Sequence, residues 1–235
     1  MISKIQKIKE TETAPKIIKN LFDIKEIKQF LKLYEMLPVT VHNKKQNVVK
    51  KRWLQGYDEF LEKIFCERLE RQIGKFEMDN LKDDKGKDIL GLIQESYSPI
   101  GLHVDAGFEP KNQIYKQSLV PLSSVGSTVI FKNRYYDGST SFTLDPEELN
   151  KRNLSYGQNK RSDKHLSMYG DKPFDNKIHK KYLSHEKIDN LRGLEVELIY
   201  EWEIGSMLIF DRSHIHCSSS VIDEKKIGIA TFTKK

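Results

Sequence analysis

Cysteine is scarce: the 235 residues hold two, Cys66 and Cys217. Two cannot build a disulfide framework, which excludes a small disulfide-stapled scaffold. Thirteen glycines and seven prolines exclude a collagenous repeat. No apolar run approaches the roughly 18 residues that a membrane-spanning helix requires. The opening segment, MISKIQKIKETETAPK, has no apolar stretch of the kind that secretory signals carry. The expectation is an intracellular, cytoplasmic globular protein with no membrane partner. Arginine is scarce as well. Of 40 cationic residues eight are Arg, against 34 acidic residues and a net charge of +6. The cations are spread along the whole chain. Nucleic-acid readers concentrate them on one face and use Arg for bidentate base contacts. A nucleic-acid partner is therefore disfavoured. A Lys-rich solvated surface remains, with attraction of an anionic substrate as its second possible use.

Aromatic residues are plentiful. Eleven Phe and ten Tyr argue against a disordered chain. The length suits one domain, residues 1–235. Residues 1–20 read as a polar lead-in. In NLFDIKEIKQFLKLYEML, Leu21, Ile24, Ile27, Phe30, Leu31, Tyr34 and Leu37 recur at helical spacing. Asp23 and Glu26 have capping-box spacing, and Pro38 stops the helix. A polar stretch follows from Val39 to Lys51. YDEFLEKIFCERLERQIG predicts a second amphipathic helix ending at Gly74.

Residues 1–75 thus form a helical support, and after residue 75 the texture changes. DDKGKD (83–88) reads as a turn. Short apolar runs then follow, rich in β-branched residues and partly alternating with period 2. Examples are DILGLIQESY, QSLVPL, STVIF, LEVELIYEW, SMLIF and KIGIATF. Helices followed by many strands predict an α+β arrangement, with helices packed on a two-sheet, jelly-roll-like barrel over residues 88–234. Residues 133–193 interrupt the strands with a polar insertion. Short helices are expected there near Asp145–Leu149 and Ser184–Leu191, and such an insertion suits a lid or binding loop.

Only one His is followed two places later by an acid, in His103-Val104-Asp105. On a strand, residues i and i+2 share a face, so an imidazole and a carboxylate stand side by side. A His from another strand completes a 2-His-1-carboxylate triad, a donor set suited to non-haem iron. GSMLIFDRSHIHCSSS (205–220) supplies two candidates, His214 and His216, also spaced to share a strand face. Lys226 opens the strand KIGIATF ten residues after His216. Lys225 is its rival on the opposite strand face. His42, His165, His179 and His185 lie in polar segments and read as surface residues.

In this order the residues resemble the Fe(II)/2-oxoglutarate-dependent dioxygenase superfamily. The matching parts are His103, Asp105, the strand from Gly205 to Asp211, His216 and Lys226, with GSTVIF (126–131) similar to the strand after the first two ligands. The resemblance spans roughly residues 88–234. Lys at the last position is similar to prolyl 4-hydroxylase-like members. The Tyr that those members carry three residues before the HxD motif is Ile100 here, with Tyr97 the nearest substitute. Two Arg follow the distal His in the AlkB-like nucleic-acid demethylases, and none follows His216 here.

The resemblance implies a double-stranded β-helix of the jelly-roll or cupin-like kind, with supporting N-terminal helices. It implies Fe(II) on His103, Asp105 and His216, with 2-oxoglutarate as cosubstrate and O₂ as oxidant. Lys226 would pair with the far carboxylate, with Thr128, Ser218 and Tyr97 as further candidates for cosubstrate contact. Arg134, Tyr135 and Tyr136 are candidates for a rim that grips substrate. The reaction expected is hydroxylation of a peptidyl side chain, an amino acid or a small metabolite, with succinate and CO₂ as co-products. A cupin-like metal- or sugar-binding barrel using His214 and His216 together is the alternative, and a catalytically silent binding barrel is a third reading.

Overall fold

The computed structural model describes residues 3–43, 48–79, 88–107, 113–143, 157–160, 171–220 and 224–235. A short helix, α1 (Lys4–Lys9), precedes α2 (Ile24–Met36). The Asp23 carboxylate accepts from the backbone N–H groups of Lys25 and Glu26, and the Glu26 carboxylate accepts from the Asp23 N–H. That reciprocal cap satisfies donors that the first helical turn leaves unpaired. Next comes α3 (Glu59–Ile73), capped by Asp58 and ended at Gly74, whose φ of 75° favours glycine.

Two mostly antiparallel sheets follow from the period-2 segments. The larger runs in the order β1 (Lys16–Ile18), β12 (Met207–Asp211), β7 (Ile114–Pro121), β14 (Lys226–Lys234), β5 (Ile89–Ser96), β3 (Val48–Leu54) and β2 (Val39–Asn43), with β4 (Glu77–Met78) beside β14. The smaller runs β10 (Gly157–Lys160), β9 (Thr140–Thr143), β6 (His103–Val104), β13 (His214–Ser218), β8 (Ser127–Arg134) and β11 (Val196–Glu201). Only the β9–β10 pairing is parallel among the described strands.

The outer face of the larger sheet buries Trp53, Ile93, Val120, Ile209 and Ile229 against Phe30 of α2 and Phe65 of α3. Full burial of side chains of this size contributes about 1.5–3 kcal/mol each. A second core, with Phe131, Phe142, Leu183 and Leu191, packs the smaller sheet against the segment holding α4 (Asn176–Tyr182) and a 3₁₀ turn (Ile188–Leu191).

The structure departs from the sequence reading in several places. The lead-in holds α1 and β1, and Ile8 is buried. Within the polar stretch from Val39 to Lys51, β2 pairs antiparallel with β3. Its alternation is masked because β3 turns Lys50 toward the interior while burying Lys51 and Trp53 on its other positions. The insertion contributes β9 and β10 to the smaller sheet, with Ser141 opposite His103. The helix expected at Ser184–Leu191 is a 3₁₀ turn, and α4 lies before it. The helix expected near Asp145–Leu149, residues 83–87 of the expected turn and His165 lie outside the described residues. Among the described residues no helix is long and apolar enough to cross a membrane.

Candidate metal centre

The inner faces of the two sheets enclose a cavity of about 170 Å³. Strand parity decides what enters it. On β14, Lys226, Gly228, Ala230 and Phe232 line the cavity, while Ile227 and Ile229 pack outward. The smaller sheet contributes His103, Asp105, Thr128, His216 and Ser218 to the opposite wall.

His103 and His216 are direct partners across the β6–β13 pairing, and their ring centroids lie 4.1 Å apart. The Nε2 atoms of His103 and His216 lie 3.7 and 3.4 Å from Oδ2 of Asp105. One ligand atom from each of the three residues falls within 4.8 Å of the others. Each Nδ1 faces a backbone carbonyl: His103 that of Gly101 at 2.8 Å, His216 that of His214 at 3.0 Å. A carbonyl only accepts, so each Nδ1 carries its proton. That leaves the Nε2 lone pairs aimed at a carboxylate oxygen. Three lone-pair atoms so placed repel one another unless a cation lies among them. The donor set therefore fits a divalent transition metal, with imidazoles oriented by backbone carbonyls.

The electrostatics agree with ligand protonation states. Burial and the neighbouring His216 push His103 down to about 4, which keeps it neutral at pH 7. Burial opposes the charge of Asp105, but the neighbouring His216 and His103 rings, with the Arg212 guanidinium beyond them, hold its carboxyl below the usual carboxylate range. Two further groups fix Asp105. Gln117 Nε2 donates to its Oδ2 at 3.1 Å, and Arg212 Nε donates to its backbone carbonyl at 2.9 Å. The other end of the Gln117 amide, Oε1, is buried with no partner among the described residues.

Lys226 lies in the same cavity at 4% exposure. Its ammonium donates to the Ser127 carbonyl at 3.0 Å and sits 4.1 Å from the centre of the Trp202 ring. No carboxylate pairs with it among the described residues, and burial pulls it down to about 7. A desolvated cation of this kind fits an incoming carboxylate. Lys225 points to the other face, where it lies 3.8 Å from Glu95.

Of the remaining sequence candidates, Thr128 and Ser218 line the cavity. Thr128 Oγ1 accepts from Trp202 Nε1 at 3.0 Å, and Ser218 Oγ accepts from the Ile100 N–H at 2.6 Å. Tyr97 is 44% exposed and donates to Glu95 on the outer face, away from the cavity that holds Lys226. Arg134, Tyr135 and Tyr136 do not line the cavity either. Arg134 lies 3.4 Å from Asp211 and 3.7 Å from Glu12, Tyr136 donates to Glu12 at 3.0 Å, and Tyr135 packs on Phe142. Arg134 and Tyr136 of the expected substrate rim are instead a half-buried dock for the N-terminal segment.

His214 also departs from expectation. A register shift between His214 and His216 breaks the common strand face. His214 is fully buried outside the cavity, with Nε2 3.0 Å from Glu197. The paired use of His214 and His216 that a cupin-like site requires is absent from the described residues. His179 and His185 are half-buried rather than freely solvated, while His42 is exposed.

Sequence reading passed over Gln117 and Lys50, both of which line the cavity, and took Trp202 for packing. Parity within β7 puts Gln117 on the same face as Leu119, but which face turns inward depends on strand order.

The fold is that of structures from the 2-oxoglutarate/Fe(II) oxygenase family. Three similar solved structures show it. The epimerase SnoN from nogalamycin biosynthesis, described as non-haem and α-ketoglutarate-dependent, has a TM-score of 0.55 at 9% identity, over 96% of this chain and 80% of SnoN. HygX from Streptomyces hygroscopicus, solved with nickel, 2-oxoglutarate and hygromycin B, has a TM-score of 0.53 at 11% identity, over 97% of this chain and 85% of HygX. An oxidoreductase of the 2OG-Fe(II) oxygenase family from Burkholderia pseudomallei has a TM-score of 0.50 at 10% identity, over 99% of this chain and 90% of its own. No protein-family model and no curated protein matches the sequence.

Proposed function

We propose that the chain is a non-haem Fe(II)/2-oxoglutarate-dependent oxygenase. Its two sheets form a double-stranded β-helix, and it hydroxylates a peptidyl side chain, an amino acid or another small metabolite. One observation carries the reading: a His-Asp-His donor set and a buried lysine with no carboxylate partner among the described residues share one cavity. His103, Asp105 and His216 would hold the metal. The bound metal would supply the redox chemistry by which 2-oxoglutarate and O₂ become succinate and CO₂ while substrate C–H becomes C–OH.

The protein's own groups supply position and environment. Gly101 and His214 carbonyls keep both imidazoles in the ligating tautomer. Gln117 and Arg212 hold Asp105. Lys226 neutralises the far carboxylate of the cosubstrate, with Thr128 and Ser218 on the same wall. The apolar side chains Leu92, Leu119 and Phe210 limit water near the reacting atoms. Substrate enters over the smaller sheet, where Thr140 and Ser141 of the insertion line the cavity beside His103.

Calorimetry with a redox-inert divalent metal, then 2-oxoglutarate, tests binding. Assay of succinate with Fe(II) tests turnover. Metal-dependent binding of 2-oxoglutarate is the expected result. A metal-loaded protein that ignores 2-oxoglutarate would return the site to a simple metal-binding barrel.

A further inference from the structure

We propose that Trp202 is the specificity-determining residue at the cosubstrate end of the cavity. It holds the Lys226 cation at one depth and so selects a 2-oxo diacid of the length of 2-oxoglutarate over one a methylene longer. The proposal rests on the 2-oxoglutarate reading of the site.

A lysine has a long, flexible stem and by itself is a poor ruler. Here its ammonium is pinned from two sides, by the Ser127 carbonyl at 3.0 Å and by the Trp202 ring face at 4.1 Å. The ring is itself fixed. Its Nε1 donates to Thr128 Oγ1 at 3.0 Å, and the Trp202 backbone N–H donates to the Gly126 carbonyl at 3.1 Å. The ring also lies directly against β14 at Gly228. A Cβ at that position would meet Trp202 Cη2 at 2.6 Å and Cζ3 at 3.0 Å. Gly228 is therefore the space that the indole fills, which holds the ring against β14 beside Lys226. A longer diacid needs the ammonium to retreat, and the indole occupies the ground it would retreat into. The aromatic face stabilises a desolvated cation while offering no competing negative charge, so the carboxylate of the cosubstrate remains its strongest partner.

The test uses the Zn(II)-loaded full chain and two probes, 2-oxoglutarate and 2-oxoadipate, titrated by calorimetry. One methylene in a shaped pocket is worth roughly 10–200-fold in selectivity. Wild type should prefer 2-oxoglutarate within that range. Trp202→Phe, which keeps an aromatic face but shortens it, should lower the preference by about tenfold or more while Zn(II) affinity stays unchanged. A second measurement needs no variant. The other tryptophan, Trp53, lies in the core under the helices, so a change in wild-type emission on saturation with 2-oxoglutarate reports Trp202. Equal wild-type affinity for the two acids, an unchanged preference in Trp202→Phe, or unaltered emission at saturation would each overturn the role of Trp202. Failure of the Zn(II)-loaded wild type to bind either acid would instead overturn the cosubstrate reading beneath it.

Discussion

His103 and His216 face each other across an antiparallel pair, 113 residues apart in sequence and 4.1 Å apart between ring centres. Their Nδ1 protons are spent on backbone carbonyls, so their Nε2 atoms converge with Asp105. Replacing His103, Asp105 or His216 with Ala should lower affinity for Ni(II) or Zn(II) at least a hundredfold, because each removes a ligand rather than a support. His214→Ala should leave metal affinity near wild type and cost about 1–3 kcal/mol of stability, since it strands the buried Asp211 carbonyl that faces its Nδ1. Metal titration and urea unfolding of the four variants check this. Loss of metal in His214→Ala with retention in His216→Ala would reverse the assignment.

Gln117 supports the same centre from β7. Gln117→Leu removes the 3.1 Å hydrogen bond to Asp105 Oδ2 with little change in volume. Loss of a group that orients a metal ligand typically costs about 10–100-fold in metal affinity, and that is the effect expected in a competition assay with a chromogenic chelator. An unchanged affinity would show that Arg212 alone suffices to hold Asp105.

Lys226 provides a pH signature. Burial brings its folded-state value down to about 7, below the ordinary lysine range, so between those two values the unfolded chain binds the extra proton. Stability from this group therefore rises with pH from about 7 toward the ordinary lysine value, the reverse of a salt-bridged lysine. Wild type should gain stability relative to Lys226→Met between pH 7 and pH 9 in paired urea titrations. A carboxylate ligand favours the charged form, so binding of 2-oxoglutarate at pH 8 should take up protons, seen as calorimetric enthalpies that vary with the buffer. Lys226→Met should weaken that binding more than a hundredfold, in keeping with the 3–5 kcal/mol lost on breaking a buried ion pair, while metal affinity persists. Proton-neutral binding would mean that Lys226 does not meet the ligand.

Asp211 ties the N-terminal segment to the barrel. Its carboxylate accepts from the Lys116 ammonium and from the Thr13 N–H at 2.9 Å, and Lys116 also donates to the Thr11 carbonyl at 2.9 Å. Asp211→Ala leaves the Lys116 charge buried and should destabilise the fold by about 3–5 kcal/mol. Early trypsin cleavage before residue 20 should accompany the loss. Wild-type stability in that variant would remove the segment from the account of the fold.

Local pattern determined a good deal of this protein. The Asp23–Glu26 spacing set a helix start. Period-2 spacing put His103 and Asp105 together and divided Lys226 from Lys225, because alternate strand residues point to opposite faces whatever the strand pairs with. Tertiary structure decided what parity cannot carry. Which face turns inward depends on strand order and on what packs behind, and that made Lys50 and Gln117 cavity residues inside segments that read as ordinary polar or strand sequence. A register shift, invisible in H-x-H, separated His214 from His216. Of the rim expected at Arg134, Tyr135 and Tyr136, the first and last face Glu12 instead, because the N-terminal segment folds back over that strand end, and Tyr135 packs on Phe142. Trp202 meets Lys226 only because Gly228, two residues along β14, leaves room for an indole arriving from the other sheet.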